Sequence, residues 1–289
     1  MIGRTAANAL TRRGAGRLLL AALTLPLAGI ASLDTLFAPK AELWPRWQAH
    51  DPASAETLDH AAWDRLLRRY LTRDAAGLNR FDYGAVGAAD RAALDGYLAA
   101  LAARSVGRLD RAEQRAYWIN LYNALTVQVV LAHYPVESIQ DIDISPGLFA
   151  SGPWDKTLIA VEGEALTLND IEHRILRPIW RDPRIHYAVN CASVGCPNLQ
   201  TRAFTAANTD ALLEAAARDY VASPRGLALA DGRLTVSSIY VWFNEDFGGS
   251  DAGVIAHLRQ YAAPDLAARL AQVTAIFGHA YDWRLNDAE

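Results

Sequence analysis

The chain has 289 residues, of which 52% are hydrophobic and 21% are charged. These fractions are those of a globular protein rather than a disordered one, and the length suffices for one large domain or two small ones. With 28 Lys and Arg against 32 Asp and Glu, the net charge of -4 argues against nucleic acid as the main partner, since phosphate binding needs a basic surface.

The first residues have the pattern of an export signal. Four arginines precede an apolar run from Leu18 to Ile30, and the next charged residue is Asp34. A basic segment followed by a short hydrophobic one is typical of a signal peptide, and small residues allow cleavage after Ala31. The run is shorter than the ~20 residues of a membrane span, and an uncleaved N-terminal membrane anchor is the alternative. We predict that residues 1–31 direct export to the periplasm.

The segment after this signal contains three prolines and shows no sustained hydrophobic periodicity. We predict a linker or extended arm over residues 32–57, followed by a globular domain over residues 58–289. Two helices open the domain. The first begins near Glu56 with apolar residues on one face, and the second covers residues 90–104.

The third predicted helix is the most apolar. Asp110 and Glu113 have the spacing of a capping box at its start, and Pro135 ends it. Between these ends the side chains are apolar on nearly every face, which indicates a central, buried helix. The helix also carries Asn120 and Asn123, and buried amides must form hydrogen bonds. These two asparagines are therefore expected to brace a loop or to line a site.

The second half of the chain alternates short strands and helices. Hairpins are predicted over residues 157–167, turning at Glu162 and Gly163, and over residues 227–236, turning at Asp231 and Gly232. The other predicted elements are a short helix capped by Asn169, a strand over residues 185–191, a helix over residues 206–221, an aromatic and acidic turn over residues 241–249, helices over residues 254–261 and 266–272, and a strand over residues 274–277. We predict one helix-rich α+β domain with a small, mostly antiparallel sheet.

Both cysteines of the chain, Cys191 and Cys196, lie in the stretch HYAVNCASVGCPNL. Cys191 follows an apolar segment and enters a loop of small residues, whose backbone N–H groups could stabilise an oxyanion. Three interpretations stay open from the residues alone: a nucleophile at Cys191, a structural disulfide between the two cysteines, or an inert buried thiol. The Cys-x4-Cys spacing is unlike that of zinc sites, so we predict no metal and no cofactor.

A nucleophilic cysteine needs a base or a positive field, and the base needs a group that orients it. His173 and His186 are the candidate bases near Cys191 in the sequence, and Glu172 or Asn123 could orient one of them. Adjacent helical residues point about 100° apart, so Glu172 is expected to reach a partner other than His173.

Six ordered motifs resemble a large family of bacteria and plants, the domain of unknown function 547. They are YWINLYNALTVQVV (117–130), PVESIQDI (135–142), LTLNDIEHRILR (166–177), RIHYAVNCASVGCPNL (184–199), SSIYVWFNEDFGG (237–249) and YDWRLN (281–286). The resemblance extends from about residue 59 to the C-terminus and implies a distant, fold-level relation to papain-like thiol hydrolases and transglutaminase-like proteins. Papain-like enzymes place the cysteine ahead of the histidine, whereas here His173 precedes Cys191.

The family motifs fall on six polar positions: Asn120, Asn123, Glu172, His173, Cys191 and Cys196. Plant-type members need not carry a cysteine at the position of Cys196, which favours Cys191 acting alone. The leading hypothesis is therefore an exported thiol hydrolase or acyltransferase acting on an amide or ester of a peptide or small molecule. Cys191 would be its nucleophile, His173 its base, and Glu172 or Asn123 the orienting group.

The predicted substrate-binding residues of this site are Asn120, His186, Cys196 and Trp242. The alternative hypothesis is a non-catalytic domain that binds a ligand or protein, with a structural disulfide between Cys191 and Cys196 and a binding surface around Trp242. A redox protein that cycles the same pair is a third idea, although the usual redox spacing is Cys-x-x-Cys.

Overall fold

The computed structural model describes residues 38–147 and 151–288. The predicted signal peptide or anchor, residues 1–31, and the first part of the arm, residues 32–37, lie outside the described residues. Among the helices in the described ranges, none combines the length and the apolar character needed to cross a membrane.

Helices dominate the first half of the described chain: α1 (Ala61–Tyr70), α2 (Ala88–Ala102) and α3 (Arg111–His133). The carboxylate of Asp110 caps α3 by accepting from the backbone N–H of Glu113 at 2.7 Å. The carboxylate of Glu113 accepts instead from the N–H of Leu58, also at 2.7 Å, so the predicted capping box is only half formed. Side chains on all faces of α3 are buried, which confirms the predicted central helix.

The later helices are short, and the strands form three small sheets. A π-helix (Asp170–Leu176) continues into α4 (Arg177–Trp180), and α5 (Thr209–Ala222), α6 (Ile239–Trp242), α7 (Asp251–Tyr261) and α8 (Pro264–Leu270) follow. The 3-10 helices are Pro45–Gln48, Val106–Arg108, Ile139–Asp141, Pro183–Tyr187 and Asn244–Phe247. The strands are β1 (Leu71–Arg73), β2 (Asn79–Phe81), β3 (Ile159–Val161), β4 (Glu164–Leu166), β5 (Leu227–Ala230), β6 (Arg233–Ser237) and β7 (Ile276–Ala280).

The strand pairing is mostly antiparallel, as predicted. β1 pairs with β2 and β3 with β4, while β5, β6 and β7 form a three-stranded sheet in which only β7 is parallel to its neighbour. The predicted turns at Glu162–Gly163 and Asp231–Gly232 are present, and all four residues have positive φ, which suits tight hairpins. The chain is therefore an α+β domain rich in helices.

The N-terminal arm packs on this domain. Trp47 is buried, and its ring meets that of Trp118 on α3 edge to face, with ring centroids 5.0 Å apart. Nearer the N-terminal end of the arm, the N–H of Glu42 donates to the carbonyl of His173 at 2.9 Å. The arm therefore reaches the π-helix that carries Glu172 and His173.

The predicted strand over residues 185–191 is wrong. Residues 183–187 form a 3-10 helix, which Pro183 begins and the side chain of Asp182 caps by accepting from the N–H of Arg184. The apparent alternation in the sequence does not mark two faces, because side chains of both sets are buried. Cys191 consequently lies in an irregular loop rather than at the end of a strand.

Candidate functional site

A cavity of about 590 Å³ opens between the π-helix, the loop after Cys191, α6 and the C-terminal segment. Six of the eight predicted site residues line it: Glu172, His173, His186, Cys191, Cys196 and Trp242. The arm reaches the same cavity through Ala38 and Pro39. The cavity thus joins segments that are more than 200 residues apart in the sequence.

Asn120 and Asn123, the other two predicted residues, brace loops. The amide of Asn123 donates to the carbonyl of Ala188 at 2.9 Å and accepts from the N–H of Asn190 at 2.8 Å. Asn120 bonds both backbone groups of Phe204 in the same way, at 2.8 and 3.0 Å. Asn123 therefore sets the backbone that leads into Cys191, and its side chain bonds no histidine.

Residues 191–196, the thiol loop, are held by the C-terminal segment. The N–H groups of Val194 and Gly195 donate to the carbonyls of Arg284 and Asp282, both at 2.8 Å. A Cβ on Gly195 would lie 2.7 Å from the backbone nitrogen of Asp282, so the close approach requires glycine. The hydroxyl of Tyr220 also donates to the carbonyl of Gly195 at 2.6 Å. These contacts fix the position of both cysteines.

The two cysteines are free thiols whose sulfurs lie 2.8 Å apart. The Sγ of Cys191 also lies 3.0 Å from the hydroxyl of Tyr281 and 3.1 Å from that of Ser193. Burial raises the pKa of Cys191, but hydrogen bonds from Cys196, Ser193 and Tyr281 lower it more, so the net shift is downward. Burial and the neighbouring Cys191 both raise the pKa of Cys196 well above its ordinary value. When the pair loses one proton, the negative charge therefore lies on Cys191, and Cys196 keeps its proton.

The expectation that backbone N–H groups of the thiol loop form an oxyanion hole is wrong. All six of these groups already have acceptors within the protein. The acceptors, from Cys191 to Cys196, are Cys196 Sγ, Asn190 Oδ1, Cys191 Sγ, the carbonyls of Arg284 and Asp282, and the carbonyl of Ser193. A substrate oxygen would need a donor from another wall of the cavity.

A charge cluster borders the cavity and consists of Glu172, Arg177, His186, Glu245 and Asp246, of which Glu172 and His186 line the cavity. His186 lies between two carboxylates: its Nε2 is 2.7 Å from Asp246 and its Nδ1 is 3.6 Å from Glu172. Burial lowers the pKa of His186, but these carboxylates raise it more. Burial likewise raises the pKa of Glu172 and of Asp246, and the surrounding positive groups lower both to about 2. Both nitrogens of His186 are thus used inside the cluster, which leaves neither to serve as a base for Cys191.

Arg177 joins this cluster to His173. The guanidinium is 1% exposed and donates to Asp246 at 2.6 Å and to Glu245 at 2.9 Å. One of its nitrogens lies 3.0 Å from Nδ1 of His173. Because arginine can only donate, Nδ1 must accept, and the neutral ring carries its proton on Nε2. Burial, with help from Arg177 and His186, lowers the pKa of His173 to about 4, so the ring is neutral at pH 7.

An aromatic wall of Trp154, Trp242, Tyr281 and Trp283 also lines the cavity. The ring of Trp283 lies 4.6 Å from that of Tyr281, 5.6 Å from that of Trp242 and 5.8 Å from that of Trp154, measured between centroids. Of these four residues, only Trp242 was predicted from the sequence to belong to the site. The motif YDWRLN was a signal for Tyr281 and Trp283, but nothing local linked it to the cysteines.

Other residues that shape the site were also missed, namely Ser193, Arg177 and Tyr122. Tyr122 lines the cavity and hydrogen-bonds Glu172. In the part of the chain that the structure describes, no group of three or more His, Cys, Asp or Glu side chains could hold a metal ion.

The fold and the site define an α+β protein with a thiol-bearing, aromatic-walled cavity. Residues 106–221 match the family described as "Protein of unknown function, DUF547", which confirms the predicted resemblance over that segment. The match includes α3, the π-helix and the thiol loop, whereas Trp242, Tyr281 and Trp283 lie beyond it. No curated protein and no solved structure matches the chain significantly.

Proposed function

We propose that the protein is exported and catalyses acyl transfer or hydrolysis at an amide or ester, with Cys191 as the nucleophile. The observation that carries the proposal is a Cys191 sulfur that lines a cavity of about 590 Å³ and lies within hydrogen-bond distance of the hydroxyls of Ser193 and Tyr281 and the thiol of Cys196. These contacts lower the pKa of Cys191. A thiolate is the reactive form of cysteine, and a cavity of this size suits a small molecule or one part of a peptide. Export rests on the signal-like sequence of residues 1–31.

The nucleophile in this proposal needs no general base. Neutral hydrogen-bond donors already stabilise the Cys191 thiolate, which attacks the substrate carbonyl carbon and forms a thioester. The thiol of Cys196, 2.8 Å from the reacting sulfur, gives its proton to the departing amine or alcohol. Acylation also removes the charge of Cys191, which is one of the causes that raise the pKa of Cys196. Water or an acceptor then cleaves the thioester.

His173 takes a different role from the one expected from the sequence. Its Nδ1 accepts from Arg177, so its Nε2–H can donate a hydrogen bond but cannot take a proton. We assign this N–H to the carbonyl oxygen of the substrate, where negative charge develops. The assignment fits the thiol loop, whose own N–H groups all have partners. Arg177 acts as a positioning residue, because it fixes the ring without reaching the substrate.

The test uses p-nitrophenyl acetate as an acyl donor with the reduced full-length chain. We expect release of p-nitrophenolate together with one acetyl group on Cys191, located by intact mass and peptide mapping, and no acetylation of Cys191→Ser protein. The chain has only two lysines, Lys40 and Lys156, which serve as internal controls for non-specific acetylation. Acetylation of the lysines at the same rate as Cys191, or of the lysines alone, would contradict the proposal.

A further inference from the structure

The two sulfurs of the cavity are close enough to react with each other. Cys191 and Cys196 are the only cysteines of the chain, and their Sγ atoms lie 2.8 Å apart as free thiols. A disulfide has a bond of about 2.05 Å, so the atoms need to approach by only about 0.8 Å. The backbone N–H of Cys191 donates to Cys196 Sγ at 3.0 Å and holds that sulfur in place. The loop is therefore preorganised for a bond between the two side chains.

The two thiols differ in exposure and in pKa, so that one can attack an oxidant and the other can resolve the product. Cys191 is half-buried and carries the lowered pKa, while Cys196 is 4% exposed and keeps its proton. The first sulfur can attack an oxidant that enters the cavity, and the second can resolve the product. Acyl transfer through Cys191 makes no use of this second sulfur as a nucleophile.

We propose that Cys191 and Cys196 are a redox-active dithiol that small hydroperoxides oxidise to a disulfide through a sulfenic acid on Cys191. The hydroxyls of Ser193 and Tyr281 lie 2.9 Å from each other and flank the Cys191 sulfur. As the sulfur attacks and loses its charge, their hydrogen bonds can pass from the sulfur to the departing peroxide oxygen. This inference does not depend on the proposed acyl transfer, although both use the same sulfur.

The reaction balances in two steps. The Cys191 thiolate attacks one peroxide oxygen, so that an S–O bond forms and the O–O bond breaks, and the departing alkoxide takes a proton delivered through the Tyr281 and Ser193 hydroxyls. The sulfur of Cys196 then attacks the sulfenic sulfur, so that an S–S bond forms and hydroxide leaves with the Cys196 proton as water. The two sulfurs together lose two electrons and the peroxide gains two. A small thiol reductant restores the pair.

The position of the sulfurs favours a small hydroperoxide as the oxidant. Both cysteines line the inside of the cavity, beside Trp242, Tyr281 and Trp283. A hydroperoxide fits within this space, whereas a disulfide on the surface of another protein would have to enter it. The aromatic side chains also favour an organic hydroperoxide over hydrogen peroxide, because they offer contact to its apolar group.

The test treats the reduced full-length chain and, in a separate sample, glutathione with cumene hydroperoxide, and follows both with N-ethylmaleimide and mass analysis. We expect the protein to lose two hydrogens and to accept no maleimide, at a rate at least about tenfold that of glutathione, because the hydrogen bonds to the Cys191 sulfur favour the thiolate. The inference is overturned if the protein reacts no faster than glutathione, or if Cys191 proceeds to sulfinic acid while Cys196 still accepts maleimide.

Variants separate the roles of the two sulfurs. Cys196→Ser should trap a sulfenic acid on Cys191 that reacts with dimedone, and Cys191→Ser should leave Cys196 reduced at the same dose of peroxide. Tyr281→Phe should slow the first step about tenfold, a change that fits one hydrogen bond to a charged group. The matched control is Tyr117→Phe, since the buried hydroxyl of Tyr117 bonds the carbonyl of Leu101 away from the cavity. Equal slowing in both tyrosine variants would contradict the role of Tyr281, and the wild-type measurement stands without any variant.

Discussion

The thiol loop and the charge cluster stabilise negative charge in different ways, although they meet at one cavity. Around Cys191 the donors are neutral: two hydroxyls, a thiol and a backbone N–H. Around Glu172 and Asp246 the partners are the cation of Arg177 and the ring of His186, whose pKa the two carboxylates raise. Neutral donors lower the pKa of a nucleophile and leave its charge uncompensated, whereas ion pairs cancel the charge that they stabilise.

The thiol loop therefore carries the reactive group of the site, whereas the charge cluster supports the residues around it. A thiolate among neutral donors stays nucleophilic, and the open cavity gives substrates access to it. The charge cluster is closed on itself, because both nitrogens of His186 and most donors of Arg177 are used within it or at its border. Its contribution to the site is to fix the ring of His173.

The largest effect is expected when the charge cluster loses its arginine. Arg177→Leu removes the buried cation that pairs with the partly buried Asp246 and also the donor to His173, so the free energy of unfolding should fall by about 3–5 kcal/mol. Urea titration at pH 7 measures the change. The matched control is Arg68→Leu, which breaks the ion pair of an exposed arginine with Asp64, four residues earlier on α1, and should cost less than about 1 kcal/mol. Similar losses in both variants would mean that the buried cluster contributes no more than a surface pair.

The second effect concerns the proton of His173. Removing its N–H in His173→Phe should slow acetylation of Cys191 by about 10²–10³-fold, the usual loss for one oxyanion donor. His173→Gln keeps an amide N–H and should retain part of the rate. A ring that worked as a base would lose as much in the glutamine variant as in the phenylalanine variant. Single-turnover acetylation rates for the three proteins, compared across pH, distinguish the two roles.

The smallest effect is expected in the thiol loop itself. Because the pKa of Cys191 is lowered, its reaction with iodoacetamide should persist below the ordinary cysteine value of about 8.5 and fade only as the pH falls through the lowered pKa. Ser193→Ala removes one donor to the thiolate and should raise the midpoint of this profile by about 1 unit.

The control for this profile is Thr209→Val, which removes a buried hydroxyl on α5 that bonds the carbonyl of Thr205. It should leave the midpoint unchanged. A midpoint that stays at the ordinary cysteine value in the wild-type protein would contradict the claim that neutral donors lower the pKa of Cys191. A midpoint that shifts equally in both variants would show that the donors do not act individually.

Much of the architecture was predictable because its signals are local. Asp110 and Glu113 indicated the start of α3, and the apolar run after them indicated burial on all faces. The pairs Glu162–Gly163 and Asp231–Gly232 indicated hairpins, since residues that accept positive φ define such turns. The family resemblance was also predictable, because ordered motifs lie in the linear sequence, and it is confirmed over residues 106–221.

The class of fold, the family resemblance over residues 106–221 and six residues of the cavity could thus be predicted from the sequence. The chemistry of those residues depends on the folded chain. Tyr281 meets Cys191 across 90 positions, and Asp246 meets His186 across 60. Arg177 lies only four residues from His173, yet its other bonds to Pro39, Glu245 and Asp246 determine that its guanidinium faces Nδ1. Such partners leave no mark on local periodicity, because a hydrogen bond depends on where two segments meet after folding.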